Sequence, residues 1–220
     1  MSFTFQETFL HTIEWAAFRL QPGVSVDILR QASRQMQAQF LSAQPGFVLR
    51  QLLSLGEGSY ADLVQWAFPQ AAAQAMERAQ QHPACAAYFD LMAVDQAPLM
   101  GEVLEQHGLP STVSDSGGGQ PGGLEFSRFR PLPGVSDAQL AAAAAQLAAG
   151  LYAGEPGFQG HLVVRNASGE YADVLLADSA GRARALCELW GAGPFHPACH
   201  DYLALIDPSS VQLDFWQHVA

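Results

Sequence analysis

A chain of 220 residues with 21 acidic against 10 basic side chains has a net charge of −11, which repels phosphate backbones and makes nucleic acid a poor partner. Every base is an arginine, so lysine-dependent Schiff-base chemistry and phosphate loops are excluded. At 49% hydrophobic and 14% charged, the composition is that of a globular protein without an apolar run near the roughly 18 residues that cross a bilayer, so no membrane is expected.

The predicted elements start with a strand in which Ile13, Trp15 and Ala17 alternate with Thr12, Glu14 and Ala16. The turn Pro22-Gly23-Val24-Ser25 follows, and Ser25 caps a helix whose apolar stripe is Ile28, Ala32, Met36 and Phe40. Pro45-Gly46 stops that helix near residue 43. A strand over 47–55, a tight turn at 56–58 and a return strand over 60–66 form a hairpin. An alanine-rich helix opens at Pro69 and runs to about residue 81, His82-Pro83 is read as its stop, and 88–94 as a final strand.

The same words then return. Pro22-Gly23-Val24-Ser25 recurs at Pro133–Ser136, Pro45-Gly46-Phe47 at Pro156–Phe158 and Tyr60-Ala61-Asp62 at Tyr171–Asp173, all in one register with an offset of 111. His82-Pro83-Ala84-Cys85 recurs at His196–Cys199 with an offset of 114, so about three residues are inserted, near Gly191-Ala192-Gly193. Matches in one register point to an internal duplication. The second copy predicts strands over 124–131, 158–165, 170–176 and 202–206, with helices over 136–153 and 179–190. Each copy thus reads strand, helix, strand, strand, helix, strand, a ferredoxin-like βαββαβ unit. The expected division is 1–96 for the first repeat, 97–123 for a glycine-rich linker and 124–220 for the second repeat. A single such unit leaves one sheet face bare, so the two units are expected to cover each other and form a pseudo-dimer within one chain, free to self-associate further.

These turns, with the strand Tyr60-Ala61-Asp62-Leu63-Val64-Gln65-Trp66 and the alanine-rich helix after it, resemble the antibiotic biosynthesis monooxygenase superfamily of dimeric α+β barrels. The resemblance covers nearly all of both repeats. It implies two ferredoxin-like units fused into an intramolecular α+β barrel, with a cavity between the sheet and helices of each. It also implies two readings of function. One is a cofactor-independent monooxygenase-like enzyme acting on a small apolar or aromatic molecule, with no bound cofactor and electrons drawn from the substrate. The other is a non-catalytic small-ligand-binding or stress-response barrel.

The candidate site follows the same resemblance. Trp66 ends a strand where the family presents a cavity tryptophan, a position that equally suits packing as core under the following helix; its match in the second copy is Ala177, so the first-repeat cavity is favoured, with Trp66 and Phe68 as substrate-binding residues. Tyr60 and Asp62 recur as Tyr171 and Asp173, which suits a structural role as well as proton transfer. His11 and His161 are strand histidines without a matching histidine in the other copy, and either suits a cavity base; His11 and Tyr60 are the expected catalytic pair. The haem-degrading members combine a first-strand asparagine with that tryptophan and a helix histidine. Here Asn166 is the only asparagine and lies in a second-copy turn, so that chemistry is not expected. His196, Cys199 and His200 look like a metal set but lack a counterpart of His200 in the first copy, and no metal is expected. The cysteines Cys85, Cys187 and Cys199 lack a CxxC pair and suggest reduced thiols. The first twenty residues lack the pattern of an export signal, so the expected compartment is the cytoplasm.

Overall fold

The computed structural model describes residues 11–95, 97–109, 121–190 and 196–219. The first ten residues, positions 116–120 of the glycine-rich stretch and the insertion at 191–193 lie outside the described residues.

The first half begins with β1 (Thr12–Leu20) and α1 (Val26–Gln39). The Ser25 side chain accepts the Ile28 N–H at 3.3 Å and so caps α1, as the sequence predicts. The PGF turn brings the chain back into β2 (Phe47–Gly56), which returns as β3 (Ser59–Trp66). Gly46 is required in that turn: its φ is +76°, and a Cβ there would lie 2.6 Å from the Ala71 Cβ on the helix that follows. That helix is α2 (Pro69–Ala79), followed by α3 (Pro83–Phe89), a two-residue β4 (Met92–Ala93) and β5 (Leu99–His107). The second half runs β6 (Gly123–Phe129), α4 (Asp137–Leu147), a π-helical turn at Ala148–Tyr152, β7 (Phe158–Asn166), β8 (Tyr171–Ala177), α5 (Ala180–Glu188), α6 (Pro197–Leu203) and β9 (Gln212–His218).

In both halves the final strand is later than the sequence predicts. Residues 88–89 and 202–203, expected in strands, end helices α3 and α6, and the fourth strands are β5 and β9. The reason is the proline in His-Pro-Ala-Cys. Pro83 and Pro197 occupy first-turn positions of α3 and α6, where a missing N–H costs no hydrogen bond, so they start helices and do not merely stop the preceding ones. Residues 99–107, expected in a linker, are therefore a barrel strand.

The strands close on themselves in the antiparallel order β1-β3-β2-β9-β6-β8-β7-β5 and back to β1, with β4 as a short extra pairing on β1. Each half has the ferredoxin-like order, β5-β1-β3-β2 and β9-β6-β8-β7. The halves are joined by their fourth strands: β5 pairs with β7, and β9 pairs with β2. The result is an α+β fold with an eight-stranded antiparallel barrel, its strands all drawn from one chain. Inside it lies one shared core that includes Ile13, Leu53 and Leu63 from the first half and Leu124, Leu162 and Val174 from the second. Outside, each sheet half packs its own helices over a separate core. No described helix is long and apolar enough to cross a membrane.

Because the barrel interior belongs to both halves, a cavity on one side should weaken the other. Leu124→Ala, at a fully buried site, is expected to cost about 2–5 kcal/mol. Urea unfolding followed by circular dichroism and by tryptophan fluorescence should show a single shifted transition. Two separated transitions would mean that the halves fold independently.

Candidate functional site

Two buried polar networks occupy matched positions on the outer face of the barrel. In the first half, Arg50 on β2 pairs with Asp62 on β3 at 2.7 Å, and Tyr88 on α3 donates to Asp62 at 2.8 Å. The same guanidinium donates to the Tyr88 hydroxyl at 2.7 Å and to Ser33 at 2.9 Å. In the second half, His161 on β7 donates through Nε2 to Asp173 on β8 at 2.9 Å, and Tyr202 on α6 donates to the other oxygen of Asp173 at 2.7 Å. In the register of the duplication His161 falls on Arg50 and Asp173 on Asp62, and Tyr202 falls on Tyr88 once the insertion is allowed for. The two networks have one plan and differ in one group, a guanidinium against an imidazole.

That difference sets what each network can do. Burial opposes the Arg50 charge, but Asp62 and Tyr88 outweigh it and raise its pKa, so the first network carries a fixed cation. An imidazole can lose its proton. Burial pushes His161 down, yet the charge and hydrogen bond of Asp173, with Glu105 and Glu125 nearby, leave its pKa raised. Its Nδ1 has no partner among the described residues.

A second matched pair lies beside the networks. Glu14 on β1 and Glu125 on β6 occupy the same position of the two copies. Burial first, then the neighbouring aspartate, lifts Glu14 to about 7 and Glu125 to about 8. Glu125 also hydrogen-bonds the Cys187 thiol, which burial and this carboxyl push up to about 12, so Cys187 is no nucleophile.

Glu125 lines a cavity of about 120 Å3 between the second-half sheet and its helices, with Asp173, Cys187, Trp190, Tyr202 and Leu213 among its other walls. Trp190 meets Tyr202 edge-on at 5.9 Å and donates its indole N–H to the Tyr152 hydroxyl. The walls are otherwise largely apolar, so a ligand here meets two carboxyl groups against an apolar lining. Such a site suits transfer of a proton to or from a small molecule. Among the described residues, no group of three or more His, Cys, Asp and Glu side chains is placed to hold a metal.

The residues expected from the sequence lie in the first half and are not gathered at one place. Trp66 is 2% exposed and packs edge-on against Phe47 at 6.0 Å; it lines neither the Glu125 cavity nor the wider clefts beside Trp216 and His218. Phe68 packs on the same core, its ring facing Gly46. Tyr60 is buried against Phe18 at the opposite end of β3 from Trp66 and borders an outer groove of about 400 Å3 beside His218. His11 stands next to Thr12, the partner of Trp66, and is hydrogen-bonded to Gln65, which alternates to the other sheet face. Burial lowers its pKa. Tyr60 and His11 thus lie at opposite ends of the β1–β3 pair. Sequence reasoning misses Glu125 and Tyr202 and offers His161 as a cavity base only behind His11; the usable signal is that His161 falls in register on Arg50, two basic groups in the middle of core strands.

No protein-family model matches the chain, and no curated protein matches it by sequence. By structure it is similar to a candidate monooxygenase from Lactobacillus acidophilus NCFM, with a TM-score of 0.69 and 9% identity over 96% of this chain and 95% of that one. It is similar to an anthrone oxidase-like protein, with a TM-score of 0.58 and 16% identity over 97% and 93%. A monooxygenase-like protein from Listeria innocua matches with a TM-score of 0.51 and 11% identity over 95% and 94%. At such identities the shared property is the fold.

The raised pKa of Glu125 makes stability depend on pH. The folded chain holds this proton up to about pH 8, whereas the unfolded chain releases it near 4.5, so this contribution is complete below pH 4.5 and is lost as pH rises to about 8. Glu125→Gln cannot lose that proton. Its stability relative to wild type should therefore climb between pH 4.5 and 8 by on the order of a few kcal/mol, read from urea midpoints across the range. A constant difference would place the Glu125 carboxyl in water.

Proposed function

We propose that the chain is an enzyme that removes a proton from a small ring-bearing molecule in the second-half cavity and lets the product react with dioxygen, a monooxygenase-like reaction without a bound cofactor. The observation that carries this reading is a carboxyl group with a pKa near 8 on the wall of an apolar cavity, because a general base works best when its pKa is near the working pH. The likeness in fold to the anthrone oxidase-like protein supports an activated aromatic methylene as the substrate class.

Ionised Glu125 takes a proton from the methylene. The carbanion passes electrons to dioxygen and forms a C–O bond. The peroxide then collapses to a ketone as its O–O bond breaks, and the second methylene hydrogen leaves with the outer oxygen as hydroxide. That hydroxide takes the first proton back from Glu125 and departs as water. In sum, one methylene group and one dioxygen become one ketone and one water, with every electron from the substrate. The Asp173 carboxyl, held in place by His161 and Tyr202, raises the proton affinity of Glu125, while the imidazole of His161 moderates that effect. An apolar cavity of roughly 150 Å3 can hold a benzene ring. At about 120 Å3 this one takes about one ring, with the rest of the substrate in its open mouth. The reading includes action in the cytoplasm with all three cysteines as free thiols.

Oxygen uptake with anthrone as probe, in chelator-treated buffer, tests this. Wild type should consume oxygen with a rate that rises as Glu125 ionises toward pH 8. Glu125→Gln should lose about 100-fold or more while keeping its circular dichroism. Equal rates in the two proteins would remove Glu125 from the chemistry, and a loss confined to Tyr60→Phe or Trp66→Ala would move the site to the first half. Saturable binding of anthrone without turnover in any variant would favour the non-catalytic barrel.

A further inference from the structure

The barrel has a second cavity on its inner side. Strand β6 alternates its side chains, so Glu125, Ser127 and Phe129 face the helices while Phe126 and Arg128 face the barrel interior. Where β1 and β6 end, the interior opens into a cleft of about 730 Å3, within the size range of small-molecule sites. Its floor is aromatic. Trp15 stacks on Phe126 with ring centres 4.0 Å apart and meets Trp216 edge-on at 5.2 Å. The Trp216 indole N–H is buried and has no acceptor among the described residues.

The walls above this floor are unequal. The β1–β5 pairing sets Trp15 opposite Leu99, and the equivalent β6–β9 pairing sets Phe126 opposite Asp214. Ala17 on the first wall is matched by Arg128 on the second in the register of the duplication. The first wall is therefore apolar and small, the second carries one cation and one anion, and the turn between β7 and β8 adds Glu170, whose carboxylate is bonded to Asn166 and Ser168. Arg128 is exposed and Asp214 half-buried, and neither has an ion-pair partner within 4.0 Å among the described residues.

We infer that this cleft binds a small aromatic zwitterion of the amino-acid type, its ring on the aromatic floor, its carboxylate on Arg128 and its ammonium on Asp214. The guanidinium fork suits a carboxylate, and the indole rings tolerate an ammonium nearby. The inference is independent of the reaction proposed above, since the sheet separates the two cavities.

Binding of L-phenylalanine, 3-phenylpropionate and 2-phenylethylamine to the full chain, followed by the fluorescence of Trp15 and Trp216, tests it. L-phenylalanine should saturate the signal at millimolar concentration or below, and each analogue should bind about tenfold more weakly. Arg128→Gln should bring L-phenylalanine down to the level of 2-phenylethylamine, and Asp214→Asn should bring it down to that of 3-phenylpropionate. Arg128 is exposed and Asp214 half-buried, and circular dichroism checks that the fold is kept. No saturable binding, no discrimination among the three probes, or equal discrimination in both variants and wild type would overturn the inference. So would loss of binding in Glu125→Gln, which would place the ligand in the helix-side cavity.

Discussion

Barrel closure through the fourth strands is the constraint on which the rest of the structure depends. A ferredoxin-like half has two open edges, at its second and fourth strands, and an uncovered inner face. Here β5 hydrogen-bonds β7 across one seam and β9 hydrogen-bonds β2 across the other, so each edge finds its partner in the opposite half. The same closure turns two half-covered faces into one enclosed core that includes Trp15, Phe126 and Trp216. Closure also brings β5 beside β7, so Glu105 of the first half lies close enough to His161 of the second to help hold its proton.

A closed sheet with helices outside gives every strand two buried faces, and this is why so many ionisable groups end up away from water. Asp62, Glu125 and Asp173 are buried and Glu14 is half-buried, and all four point outward from the sheet into layers covered by helices. Taking carboxyl groups away from water is unfavourable unless each is protonated or paired. The two aspartates are paired, one with arginine and one with histidine, and each also accepts a tyrosine hydroxyl. The two glutamates lack an ion-pair partner among the described residues and burial raises their proton affinities, as it also raises that of Asp62 against the pull of Arg50.

Most of the fold is legible in the sequence, because the repeated turns carry strict backbone demands. Gly23 and Gly134 in the two PGVS words, and Gly46 and Gly157 in the two PGF words, all have φ between 76° and 87°, a conformation that favours glycine. Those demands fix the turns, and the alternation between them fixes the strands. The fourth strands are not legible because Pro83 and Pro197 follow helices closely, and a proline there signals a stop as readily as a start. The polar site is less legible still. Asp62 and Asp173 stand out as a recurring pair, but recurrence alone suits a structural role, and their partners Tyr88 and Tyr202 read as strand residues. Trp66 stands out as a large aromatic at a strand end, and its size is what lets it fill the first helix-side core.

The exchange of arginine for histidine between matched networks is the main chemical difference between the two halves. In the first half, Arg50 also donates to Ser33 and lies over the Tyr88 ring at 5.0 Å, so all its strong contacts are to groups that stay in place at any moderate pH. Burial and the neighbouring aspartate raise both glutamates; a hydrogen bond with Trp66 and then the Arg50 charge hold Glu14 back, while His161 holds back Glu125. The first half holds Met76 at the position that Cys187 occupies in the second, and the shorter side chain is one wall of the cavity beside Glu125. One half thus keeps the network as a fixed ion pair, and the other joins the same geometry to a titratable group and an open space. A duplicated barrel can hold both arrangements because the fixed pair secures one helix layer while closure through β5 and β9 ties it to the other.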